Sequence, residues 1–186
     1  MLKYSSWQLP ECAPILSLEQ AQGWYEDGWR GNLILTSGFA APIHPGHISL
    51  ISDAKSKVYH LNDSKHWPYL VYIVNDDIRL KKKTGHVFMP LKVRAQIVSA
   101  IKEVNVVVPL ELSSDDDTVN TALEAIRPAY FAKGGDRCDE HSIPEWATCE
   151  RLGIKILTGC GDTKVWSSSN FLRDHAEHVI KSMQLT

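Results

Sequence analysis

The chain has 186 residues, 44% of them apolar and 23% charged, with a formal net charge of −2. These totals fit one globular domain that buries its own core, and they argue against an RNA- or DNA-binding module, which would carry a basic field. Met1 to Trp7 holds one lysine and no following apolar block, so no signal peptide is expected. No apolar run approaches the roughly 18 residues that a membrane span needs, so neither membrane nor nucleic acid is expected as a partner. Cys12, Cys138, Cys149 and Cys160 show no metal-like spacing. They read as free thiols, and the expected location is the cytoplasm.

In chain order, residues 1–31 form an N-terminal extension in which Leu16–Tyr25, bounded by Pro14 and Gly28, suits an amphipathic helix. Residues 32–186 alternate two kinds of segment. Short apolar runs at Asn32–Thr36, Tyr69–Val74, Val104–Val108, Ala129–Ala132 and Ile154–Leu157 suit strands buried on both faces. Helical patterns lie between and after them at Gly46–His60, Pro90–Glu103, Asp115–Ile126, Ile143–Leu152 and Ser169–Met183. Such alternation predicts an α/β fold, a Rossmann-like parallel five-stranded sheet with helices on both faces. Ligands of these sheets bind beyond the carboxyl ends of the strands, so functional residues should stand just after strands.

After the first strand the chain reads Thr36-Ser37-Gly38-Phe39-Ala40-Ala41-Pro42-Ile43-His44-Pro45-Gly46-His47. A turn at the sheet edge followed by a helix start offers unpaired N–H groups and a dipole that favours phosphate. Gly46 admits a close ligand. Two imidazoles in one turn can converge on the same phosphate oxygens and stabilise charge as it builds during displacement. A helix-capping pair and a pair of metal ligands are the competing readings of His44 and His47. After the second strand, Asn75, Asp76 and Asp77 precede a basic loop with Arg79, Lys81, Lys82 and Lys83. Its place beyond a strand end favours phosphate over a solvated face.

Gly-x-x-x-x-x-His-x-Gly-His resembles the signature of the cytidylyltransferase-like nucleotidyltransferase superfamily. Its members include glycerol-3-phosphate cytidylyltransferase and the adenylyltransferase part of ADP-heptose synthase. The likeness runs from about Asn32 to Leu172. It implies transfer of a nucleoside monophosphate from a triphosphate to a phosphorylated small molecule, with pyrophosphate released. CTP is favoured over ATP, and magnesium is expected on the triphosphate. His44 and His47 are then catalytic, with Lys82 or Lys83 holding phosphate. Ser37, Gly38, Phe39 and Gly46 belong to the nucleotide site. Asp76 sits in the family's Asn/Ser-Asp element, and Arg94 matches an arginine that faces the substrate phosphate. An ion pair with a nearby carboxylate is the alternative for Arg94.

Lys133-Gly134-Gly135-Asp136 resembles the element that lines the nucleoside pocket, with Arg137 where relatives often have an aromatic residue. Ser167, Ser168 and Ser169 resemble a serine/threonine element that holds the leaving phosphates, flanked here by Lys164 and Trp166. Ala41 stands where many relatives have aspartate. That substitution supports the alternative of a non-catalytic nucleotide-binding module. A homodimer is expected from the resemblance alone.

Overall fold

The computed structural model describes residues 12–23, 30–62, 66–111, 117–135, 137–162 and 167–184. Five strands, β1 (Leu33–Gly38), β2 (Tyr69–Asn75), β3 (Val106–Leu110), β4 (Tyr130–Gly134) and β5 (Lys155–Cys160), form one sheet in the order β3-β2-β1-β4-β5. Every pairing is parallel. Seven helices are described: α1 (Leu18–Gly23), α2 (Pro45–Leu61), α3 (Asp77–Thr84), α4 (Leu91–Ser99), α5 (Asn120–Ile126), α6 (Trp146–Leu152) and α7 (Ser168–Gln184). The expected α/β sheet is therefore present, with helices on both sides.

Alternation along the strands divides the core in two. Leu33, Leu35, Val71, Ile73, Val106, Val108 and Phe131 face one side, where Ala21 of α1, Leu123 of α5 and Cys149 of α6 cover them. Ile34, Leu70, Tyr72, Val107, Tyr130 and Ala132 face the other, under Ile51, Ala54 and Val58 of α2 and Ala95 and Val98 of α4. With both faces dry, the strands must be apolar throughout. Ahead of the first strand, Leu16 donates its N–H to Val107 O at 2.9 Å and Ile15 bridges Val107 in parallel, so this segment lies along the outer edge of β3.

One element departs from the sequence reading in kind and others in their bounds, among them β3, which runs Val106–Leu110 and not Val104–Val108, and α6, which starts at Trp146 and not Ile143. The Arg79–Lys83 run is not a loop but most of α3, opened by Asp76, whose Oδ1 accepts from the Arg79 N–H at 2.7 Å. Gly85 closes it in the left-handed region at φ 79°. Helix α4 ends at Ser99 rather than Glu103, because Ile101 and Val104 turn back towards β3. Asp115, the expected start of the helix before β4, lies outside the described residues, and α5 begins at Asn120.

Candidate functional site

Strand order reverses between β1 and β4, and a cleft of about 670 Å³ opens at their carboxyl ends. That size suits a small-molecule site. The loop from Ser37 to His44 leaves β1 over this cleft and starts α2 with an unusual cap. His44 Nδ1 accepts from the Gly46 N–H at 3.2 Å, while His47 Nδ1 accepts from the His44 N–H at 3.3 Å. Side chain and backbone thus satisfy each other across the first turn, as a serine–glutamate capping box does.

This arrangement fixes chemistry as well as structure. A ring nitrogen that accepts an N–H cannot itself carry a proton, so each neutral imidazole keeps its hydrogen on Nε2. Burial lowers the His44 pKa. Burial, then the neighbouring His44 and Lys83 charges, push His47 down to about 4, against the weaker opposing effect of the His44 backbone contact. The two rings lie 3.9 Å apart between centroids, both lining the cleft. They form a pair of neutral Nε2–H donors at a helix start. Capping occupies Nδ1 of each ring and leaves Nε2 unspent by the cap, so the capping reading of the sequence does not compete with a ligand role for the opposite nitrogen. Gly46 suits the cap: a Cβ there would stand 3.0 Å from His44 Cε1, so the capping ring would have to shift.

The structure gathers most of the other sequence candidates around the same cleft. Ser37, Gly38, Phe39, Gly46, Gly134, Gly135, Arg137, Ser167, Ser168 and Ser169 all line it. Ser168, at the start of α7, donates its hydroxyl to Pro42 O at 2.8 Å, which ties the serine turn to the histidine loop. Gly134 lets α2 approach the sheet, since a Cβ would fall 2.5 Å from Leu50 Cδ1 and 2.9 Å from Cys160 O. Of the two lysines left open, Lys83 lines the cleft, with its ammonium 5.1 Å from the centre of the Phe39 ring. Asp136, Lys164 and Trp166 lie outside the described residues.

Three candidates do not line the cleft. Lys82 is exposed and pairs at 2.7 Å with Asp117, which does line it. Asp76 is 4% exposed and spends its carboxylate on the α3 start and on Arg79 Nε at 3.2 Å. Arg94 has no exposed surface. Its guanidinium donates to Met89 O, Phe39 O and Asn75 O at 2.7–2.9 Å, and pairs with Asp77 at 2.6 Å. Five fixed donors make arginine suited to gathering carbonyls from several segments. Arg94 therefore supports the cleft from behind and does not face a substrate.

Lys133, which the sequence places in the element resembling the nucleoside-pocket lining, has its ammonium buried 3.3 Å from Glu145 and 3.4 Å from Ser37 Oγ. No sequence signal marked Glu145, which also lines the cleft. Burial lowers the Lys133 pKa, against the raising influence of Glu145. Asn75 and Tyr72 also line the cleft. Among the described residues, no three histidine, cysteine, aspartate or glutamate side chains converge as a metal site, and no helix is long and apolar enough to cross a membrane.

Known proteins of similar sequence and fold point to a family. The bifunctional protein HldE of Gluconobacter oxydans (strain 621H) is 27% identical over 73% of this chain, and that of Methylococcus capsulatus (strain ATCC 33009 / NCIMB 11132 / Bath) is 32% identical over 60%. The aligned stretches make up 26% and 21% of those proteins, so the chain spans about a quarter of their length. In fold it is similar to the lipopolysaccharide core biosynthesis protein from Thermoplasma volcanium GSS1. That crystal structure is 19% identical with a TM-score of 0.50, over 70% of this chain and 96% of the other. A family model described as cytidylyltransferase-like matches residues 35–170, from β1 through the serine turn, and the chain belongs to this cytidylyltransferase-like family of nucleotidyltransferases.

Proposed function

We propose that the chain transfers a nucleoside monophosphate from a nucleoside triphosphate to a phosphorylated small molecule. An oxygen of the acceptor phosphate attacks the α-phosphorus. The bond from that phosphorus to the bridging oxygen breaks, and pyrophosphate leaves without a covalent enzyme intermediate. The observation that carries this reading is the pair of neutral imidazoles whose Nδ1 atoms are held by backbone N–H groups, at a helix start that lines the cleft. Their Nε2–H groups are fixed before the ligand arrives, and such donors stabilise developing charge with little reorganisation.

Lys83 adds a positive charge on the same cleft, and Ser167–Ser169 stand where hydroxyls would meet the leaving phosphates. Gly134 and Gly135 leave room for the nucleoside. Magnesium, in this reading, arrives on the triphosphate as part of the substrate. CTP and ATP are comparable donors: the compact domain resembles cytidylyltransferases, while the HldE relatives and the Lys133–Gly135 glycine turn favour adenylyl transfer.

A pyrophosphate-release screen crossing four nucleoside triphosphates with a panel of phosphorylated metabolites tests the reading. Release with one triphosphate and one acceptor class is the expected result. Nucleotide binding without turnover across the panel would leave a nucleotide-binding module, an outcome to which Ala41, 2% exposed in the cleft wall, would then belong.

A further inference from the structure

Strand β2 turns Leu70, Tyr72 and Val74 into the core under α2 and α4. Two of the three are aliphatic. Tyr72 carries a hydroxyl into that core and is 2% exposed, yet it lines the cleft. Among the described residues this hydroxyl makes no hydrogen bond. A phenol buried without a partner is costly, and phenylalanine would fill the same space without that cost. Packing accounts for the ring and leaves the hydroxyl unexplained.

Its neighbours fix where that hydroxyl stands. A Cβ built at Gly38 would fall 2.5 Å from Tyr72 Oη and 3.9 Å from His47 Cδ2, the ring carbon bonded to Nε2. Tyr72 Oη occupies the space that glycine leaves at the end of β1, with the Nε2 edge of the His47 ring close by. Arg94 holds the following turn from behind through Phe39 O at 2.7 Å. Burial pushes the Tyr72 phenol up, against the lowering influence of Arg94, so at neutral pH it keeps its proton and can donate it in a hydrogen bond. His44 and His47 present Nε2–H donors to the same cleft, and Lys83 adds a positive charge. A corner built from donors calls for an acceptor-rich anion. Two donors as close as Tyr72 Oη and the His47 ring edge can be met by two oxygens of one phosphate group.

Resting on the transferase reading for the identity of the ligand, we propose that the Tyr72 hydroxyl is a third fixed donor, beside the two imidazoles, to the α-phosphate of the nucleotide. It would act from the floor of the cleft, under the Gly38 turn.

Tyr72→Phe in the full chain removes the hydroxyl and keeps the ring, and it should fold because no native hydrogen bond is lost. Calorimetry compares its affinity for CTP, ATP, CMP, AMP, cytidine and adenosine with that of wild type, beside a urea titration. The expected result is a loss of about tenfold or more for the triphosphate that binds and for its monophosphate. Nucleoside affinity should not change, and the unfolding midpoint should stay at or above that of wild type. A lower midpoint would make the hydroxyl part of the fold. Equal losses for nucleotide and nucleoside would move it to the base or ribose. Either outcome, or unaltered nucleotide affinity, would overturn the assignment. Pyrophosphate release with unaltered kcat and KM in Tyr72→Phe would remove the tyrosine and leave the transferase reading standing. Nucleotide affinity that depends on Tyr72, together with a failed pyrophosphate screen, would do the reverse. Wild type that binds none of the six would sink both.

Discussion

At His47 one ring serves the fold through Nδ1 and faces the cleft with the rest of the imidazole. Removing a preorganised donor of this kind costs about 10²–10³ in rate. His47→Ala should therefore lower kcat by at least about 10², and near-full turnover in that variant would remove the imidazole pair from the mechanism. The ring also links stability to pH. Its pKa is about 4 in the folded protein against 6.5 for a free imidazole. Protons bind the unfolded chain first as pH falls, so this stability is complete above pH 6.5 and is lost as pH drops towards 4. Urea unfolding at pH 7 and about pH 4.5 should show wild type losing about 2 kcal/mol more than His47→Gln across that interval. Equal losses would mean that His47 is not held neutral by burial.

Arg94 separates a supporting residue from a binding one. Without its guanidinium, three backbone carbonyls and Asp77 lose their partner at once. Arg94→Ala should cost about 3 kcal/mol in unfolding free energy. A variant as stable as wild type with weakened acceptor binding would return Arg94 to the substrate site. An arginine in the first turn of a helix after a strand is an ordinary phosphate signal, and nothing local tells that three carbonyls converge on it. That information is spread over Phe39, Asn75 and Met89. Lys82 and Lys83 are equally open in the sequence; the turn of α3 separates them, so that Lys83 lines the cleft while Lys82 stands outside the lining and reaches it only through its pair with Asp117.

Among the elements, α2 lies in tight contact with the sheet. It passes so close to β4 and β5 that Gly134 has no room for a methyl group against Leu50 and the Cys160 carbonyl. Backbone cannot give way as a side chain can. Gly134→Ala should destabilise the protein by about 1–3 kcal/mol and weaken triphosphate binding, because Leu50 sits in the same helix as both imidazoles. Calorimetric binding of CTP and ATP beside a urea titration checks both effects. Strands were the easiest elements to read, since a parallel sheet covered on both faces demands unbroken apolar runs such as Leu70–Val74. Helix α3 was hidden for the opposite reason. Leu80 is its only buried apolar residue, so no periodicity marks it.

For the molecule as a whole, the Rossmann-like sheet brings residues from β1, β4 and α7, far apart in the chain, to one rim. That much followed from the order of elements, because the switch in strand order fixes where the rim opens. The α5–α6 side of the cleft did not follow. Asn75 and Lys133 belong to separate strands brought together by the sheet, and Glu145 reaches Lys133 from the start of α6. A ligand bound only by the folded state at about 100 times its Kd adds about 2.7 kcal/mol, or roughly 5–10 °C for a domain of this size. The true donor triphosphate should raise the melting temperature by that amount. Four triphosphates without any shift would count against a nucleotide site.

Helix α7 has no buried residue, and Ser168 at its first turn bonds to Pro42 O in the histidine loop. Protein segments with so little packing open at low free energy. One wall of the cleft thus rests on little packing, and in the proposed transfer pyrophosphate would depart past it. Amide hydrogens of α7 should exchange much faster than those of α2, and triphosphate should slow them. Product release, timed by the loosening of this wall, would then set the pace of the cycle.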